Sequence, residues 1–207
     1  MALEENKKEL VKFLFQEWAH PRRYYNFFSS DSALYVNVTE KFYKIKRVGN
    51  EVVFEEEAGL ETTQEEADTK VFLSAAHCQS NNIQSCCIST NDTDIVYYAM
   101  YYQTTLQINL FIEFGSGDRR RMLSIPRIVQ HLGENVSKAL PGLHCFSGND
   151  YASAFYGLGK IKAFNLMKTN DEFIQAFAAI GRHFVFDSCL FKHHPNFCLQ
   201  IVWSQKL

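Results

Sequence analysis

Five carboxylates fall where an α/β chain places its ligand groups. Glu66 and Asp68 open a predicted helix, Asp92 and Asp94 follow an apolar strand, and Asp150 follows the apolar segment 140–146. Carboxylates gathered at one edge are candidate ligands for a divalent metal ion. Oxygen-only ligands suit magnesium (Mg2+), or Mn2+ in its place, and no histidine cluster argues for a softer metal. The strand 83–89 runs directly into Asp92-Thr93-Asp94, which puts both acids beyond its carboxyl end, where α/β sheets bind ligands. A plainer reading stands beside this one. Acids at a helix start cap free N–H groups and complement the macrodipole, which accounts for one Asp better than for a pair. Asp68 lies next to the apolar face of Ala67, Val71, Phe72 and Ala75, where an unpaired carboxylate is costly.

Groups suited to phosphate occur in two places. Gly157-Leu158-Gly159-Lys160-Ile161-Lys162 is a glycine-rich turn opening a helix, so Gly157, Gly159, Lys160 and Lys162 are candidates to hold a phosphate without base contacts. Arg119-Arg120-Arg121 is the only compact basic run. It reads either as a solvated charge run or, through Arg119 and Arg120, as a phosphate contact. His193-His194 near Cys189 and Cys198 matches no zinc spacing. His77 and His144 sit in apolar contexts and read as core or boundary residues, not as general bases.

The elements that must position these groups follow from periodicity. Leu3, Leu10, Val11, Leu14, Phe15 and Trp18 lie at helical spacing, ended by His20-Pro21. Three short aromatic or β-branched runs (33–36, 42–45 and 52–55), with a turn at Gly49-Asn50, predict a small meander. From Gln64 the style changes to helix (65–78, with Thr63 as cap), apolar strand (83–89), helix after Asp94, strand (107–114), turn at 115–118, short strand (122–125), then helix to about residue 181. Alternating helix and buried strand predicts an α/β fold, a three-layer α/β/α domain with a mostly parallel sheet covered on both faces. The predicted organisation is an N-terminal helix and hairpin appendage over 1–62, a core over 63–183, and a tail over 184–207.

Bulk properties set limits on function. With 46% apolar and 21% charged residues the chain reads as an ordinary globular domain. A formal net charge of −2 supplies no global field for nucleic acid, so any such partner needs a local patch. The six cysteines form no CxxC pair, and Cys86-Cys87 lie in what reads as a buried strand, so free thiols in a reducing compartment are expected. No signal peptide and no membrane-length apolar run are present. A soluble, intracellular protein is the expectation, and a nuclear one fits it. The Asn37, Asn91 and Asn135 sequons then read as chance matches.

In order and context these clusters resemble the flap-endonuclease (XPG, asteroid-type) branch of the PIN-like nucleases. The residues that carry the resemblance are Glu66-Ala67-Asp68, Asp92-Thr93-Asp94, and Gly148-Asn149-Asp150-Tyr151 followed by Gly157-Leu158-Gly159-Lys160-Ile161-Lys162-Ala163. The match spans residues 64–168 and looks similar to a group of transposon-like invertebrate proteins. It implies a PIN-like domain in which Glu66, Asp68 and Asp92 ligate one metal and Asp94 and Asp150 ligate or orient a second. It also implies that the glycine-lysine turn clamps DNA or RNA. The family uses a further Asp at the end of its first strand. Here the only early one, Asp31, lies in a polar Ser-Ser-Asp-Ser loop. The first βα unit is then missing, with the chain either the C-terminal part of a longer protein or a truncated mobile-element copy. Two functional readings remain: a metal-dependent structure-selective or single-strand nuclease, and a catalytically inactive nuclease-like domain kept for interaction or as a remnant. In a third, the acids only cap helices of an unrelated α/β protein.

Overall fold

A computed structural model describes residues 2–20, 23, 26–29, 32–38, 40–61, 67–148 and 159–180. Its contacts group the chain into two compact units, residues 1–77 and 78–207.

In the first unit, helix α1 (Ala2–Trp18) precedes an antiparallel meander of β1 (Ala33–Val38), β2 (Lys41–Val48) and β3 (Glu51–Glu56). The pairs Leu34↔Ile45 and Ile45↔Phe54 fix the register. Residues directly opposite one another share a face. Leu34, Val36, Val38, Tyr43, Ile45, Val52 and Phe54 therefore line one side. There Val36, Ile45 and Val52 are buried with Ala19 and Phe28, and Phe15 and Trp18 of α1 pack against them. The ring of Phe15 meets both Tyr43 and Phe54. The other side carries Tyr35, Asn37 and the buried Phe42. Tyr35 meets the His77 ring edge-on, and Lys70 donates to Asn37 Oδ1. Both partners lie on helix α2 (Ala67–Ser80). The alternating pattern is what allows three short strands to be covered on two faces.

The second unit holds β4 (Ser85–Thr90), α3 (Thr93–Gln103), β5 (Asn109–Phe114), β6 (Arg121–Ser124), α4 (Ile125–Leu132), α5 (Glu134–Phe146), α6 (Lys160–Met167) and α7 (Asp171–Ala179). β4 and β5 are parallel with α3 as the crossover, and β6 returns antiparallel on the other edge of β5. Gly115 begins that return at φ +96, and a Cβ there would lie 2.7 Å from Arg119 O, so the turn excludes side chains. The chain is thus α/β, with one meander and one small mixed sheet among the described residues.

The sheet of the second unit is not covered equally on its two faces. Ile88, Leu110 and Ile112 are buried, and α3 and α4 pack on β5. On the opposite face Cys87 and Ser89 are exposed and Met122 is 59% exposed. The predicted buried strand around Cys86-Cys87 is therefore an amphipathic one. Its Cys-Cys-Ile-Ser run hides the period-two alternation because cysteine counts as apolar on either face. Beyond the sheet, α5 packs on α3 and α7 packs on α5. That last contact depends on Gly142, where a Cβ would stand 2.2 Å from Phe177 O.

A candidate site at the carboxyl edge of the parallel strand pair

β4 ends at Thr90, and the chain turns into α3 through Asn91 and Asp92. Asp92 is the N-cap: its Oδ1 accepts from the Asp94 amide at 2.8 Å, and its own amide donates to Thr90 Oγ1 at 3.0 Å. The capping role foreseen for one Asp belongs to Asp92, which is exposed. Asp94, one position inside the helix, points elsewhere. Its Oδ2 lies 3.1 Å from Nε2 of His144 on α5. The approach is off the line for a hydrogen bond, and Nε2 has no hydrogen-bond partner among the described residues.

His144 is 1% exposed. Its ring stacks on Tyr97, one turn along α3 from Asp94, with centroids 4.7 Å apart and planes 22° from parallel. On the far side of the ring, Nδ1 lies 3.0 Å from Nζ of Lys160, the first residue of α6, which also sits over the Tyr97 ring at 5.7 Å. An ammonium can only donate, so Nδ1 accepts and the ring proton resides on Nε2, facing the carboxylate. Lys160, His144 and Asp94 thus form a continuous row of polar side chains drawn from α6, α5 and α3. Burial first, and then Asp94, push the Tyr97 hydroxyl above its ordinary pKa.

Of the predicted glycine-lysine turn, the described residues begin at Gly159, where α6 starts. Gly159 is its N-cap with extended backbone, its carbonyl accepts from the amides of Lys162 and Ala163, and no side chain caps the helix. Lys160 turns inward, whereas Lys162 is exposed. Within the arginine run, Arg120 pairs with Glu113 at 3.3 Å, and Glu113 also accepts from Ser89 Oγ. Arg119 is exposed, and Arg121 lies over the Phe114 ring.

Of the predicted metal ligands, Asp92 and Asp94 stand within one turn of each other in the second unit. Asp68 is half-buried in the first turn of α2, within the first unit. Glu66, Asp150 and Gly157 lie outside the described residues, as do Thr63 and Asp31. Among the described residues no three His, Cys, Asp or Glu side chains gather closely enough to hold a metal ion. Asp92 and Asp94 alone are not a magnesium cage, since Asp94 faces an imidazole and not a second acid. His77 is the boundary residue its context suggested, 4.0 Å from Glu57.

His144 is the core residue its apolar context suggested, but its contacts with Asp94 and Lys160 were not foreseen. A histidine in Leu-His-Cys-Phe on a helix carries no spacing signal toward Asp94 or Lys160, because tertiary packing alone joins the three. Among the described residues, Cys78, Cys86, Cys87 and Cys145 are thiols outside any disulfide. No helix among the described residues is long and apolar enough to cross a membrane.

Comparison with protein-family models, with curated proteins and with solved structures finds no match to the chain.

Proposed function

We propose that this chain is a PIN-like, three-layer α/β domain acting on nucleic acid, with divalent-metal-dependent phosphodiester hydrolysis as its reaction. One observation carries this reading: Asp92 and Asp94 stand at the carboxyl edge of the parallel pair β4–β5, where α/β sheets present ligand groups. Lys160 opens α6 on the other side of His144, which sets a basic side chain across the ring from Asp94. DNA or RNA backbone would meet Gly157, Gly159, Lys160 and Lys162, with Arg119 and Arg120 as further phosphate contacts. Glu66, Asp68 and Asp150 remain ligands that the resemblance implies, in an intracellular or nuclear setting.

A second reading, the same domain without catalysis, has its own support. Asp92 Oδ1 is committed to the helix cap and Asp94 Oδ2 to His144. Incubation with 5′-flap and single-stranded substrates in Mg2+ or Mn2+, with EDTA as control, separates the two readings. Metal-dependent cleavage supports the nuclease. Retained binding with no cleavage in either metal supports the inactive domain.

A further inference from the structure

The second unit contains a cavity of about 380 Å³. Pockets of this order accommodate small organic ligands. Its described walls are apolar and aromatic, with Tyr97, Phe114, Leu123 and Leu140 prominent, and its charged wall groups are Lys160 and Arg121. No Asp or Glu is found among the described lining residues.

The two cations are held in similar ways. Lys160 rests on Tyr97 and uses one of its three donors on His144 Nδ1. Arg121 rests on Phe114. Neither is within ion-pair distance of a carboxylate among the described residues, in contrast with Arg120, which is neutralised by Glu113. Aromatic faces steady a cation but leave its N–H donors unspent. An apolar chamber with two cations of this kind is complementary to a ligand that is greasy over most of its length and anionic at one end.

We infer that this cavity binds an amphipathic organic anion, its apolar body among the Leu and aromatic side chains and one carboxylate or phosphate met by Lys160 and Arg121. The inference is independent of nuclease activity, since it requires neither metal nor nucleic acid.

The test is calorimetric titration of the full chain in EDTA with decanoate, 1-decanol and adenosine monophosphate as probes. Saturable one-to-one binding of decanoate, at least tenfold tighter than decanol, is expected. Lys160→Gln and Arg121→Gln should each weaken decanoate about tenfold, the order of one charge-assisted hydrogen bond. Leu123→Trp, which fills the chamber without changing charge, should abolish it. Near-ultraviolet circular dichroism checks that each variant folds, and the decanoate-to-decanol ratio is read on the parent chain if one does not. No saturable decanoate binding, equal binding of decanol, or full affinity in both charge variants would overturn the assignment. Preferential binding of adenosine monophosphate would also overturn it, in favour of a nucleotide pocket.

Discussion

The Asp94 carboxylate lies 3.1 Å from Nε2 of His144, a ring that packing between α3 and α5 has removed almost wholly from solvent. A buried imidazole with a carboxylate on one nitrogen and an ammonium on the other holds its place by electrostatics as well as by stacking on Tyr97. Loss of one partner leaves a polar group without compensation, which costs more than the contact contributes.

His144→Ala should therefore be costly. It removes a fully buried side chain, opens a cavity, and strips Lys160 of its acceptor. A loss of about 2–4 kcal/mol is expected from equilibrium urea unfolding. A change below ~1 kcal/mol would show that the ring is not an integral part of the α3–α5 packing.

Asp92 offers a way to separate structure from chemistry. Asn caps a helix about as well as Asp, whereas Ala does not. Asp92→Ala should lose about 1 kcal/mol in urea unfolding and Asp92→Asn very little. Equal losses in both would contradict the capping role of Oδ1.

Gly142 sits where α5 approaches the Phe177 carbonyl too closely for any side chain. Gly142→Ala should cost at least 1–3 kcal/mol, roughly the cost of overpacking, even though alanine is the better helix former. A stabilised Gly142→Ala protein in thermal melts would show that α5 and α7 are not packed this tightly.

Two adjacent thiols should differ in reactivity. Burial first, and then the neighbouring Cys78, push the Cys86 thiol up to about 11, whereas Cys87 is exposed on the open face of the sheet. Thiolate is the reactive form, so iodoacetamide at pH 8.5 should alkylate Cys87 well before Cys86, as read by peptide mass spectrometry. The sign for stability follows from the same shift. The folded state holds the Cys86 proton more tightly than the unfolded state does. Its contribution is complete below the ordinary thiol value of 9.0 and is lost as pH rises through about 11. A Cys86→Ala protein should lose less stability than the parent over that interval.

Much of the framework was legible in the chain. The helical spacing around Leu10, Leu14 and Trp18 and the three β-branched runs before Glu57 each produced an element close to its predicted bounds. The succession from α2 through β4, α3 and β5 to β6 also followed from period and turn chemistry. The coverage of the sheet was less legible. A Cys-Cys-Ile-Ser segment reads as apolar throughout, although Cys87 and Ser89 face outward, and a single parallel pair with an antiparallel edge looks much like a longer parallel sheet in local pattern. Within the site, the divided role of Asp92 and Asp94 was half legible, since capping could be assigned to one of them. The partner of the other could not be read. His144 and Lys160 reach Asp94 only through the way α5 and α6 meet α3, and no local spacing encodes that meeting.

The most direct test of the proposed function is single-turnover cleavage of a 5′-flap substrate in Mn2+ by the parent chain and by Asp92→Asn. This variant preserves the cap and removes only the charge. The proposal predicts metal-dependent cleavage by the parent, reduced at least 100-fold in the variant at unchanged thermal stability. Cleavage by Asp92→Asn at the parental rate would contradict a role for these acids in phosphodiester hydrolysis.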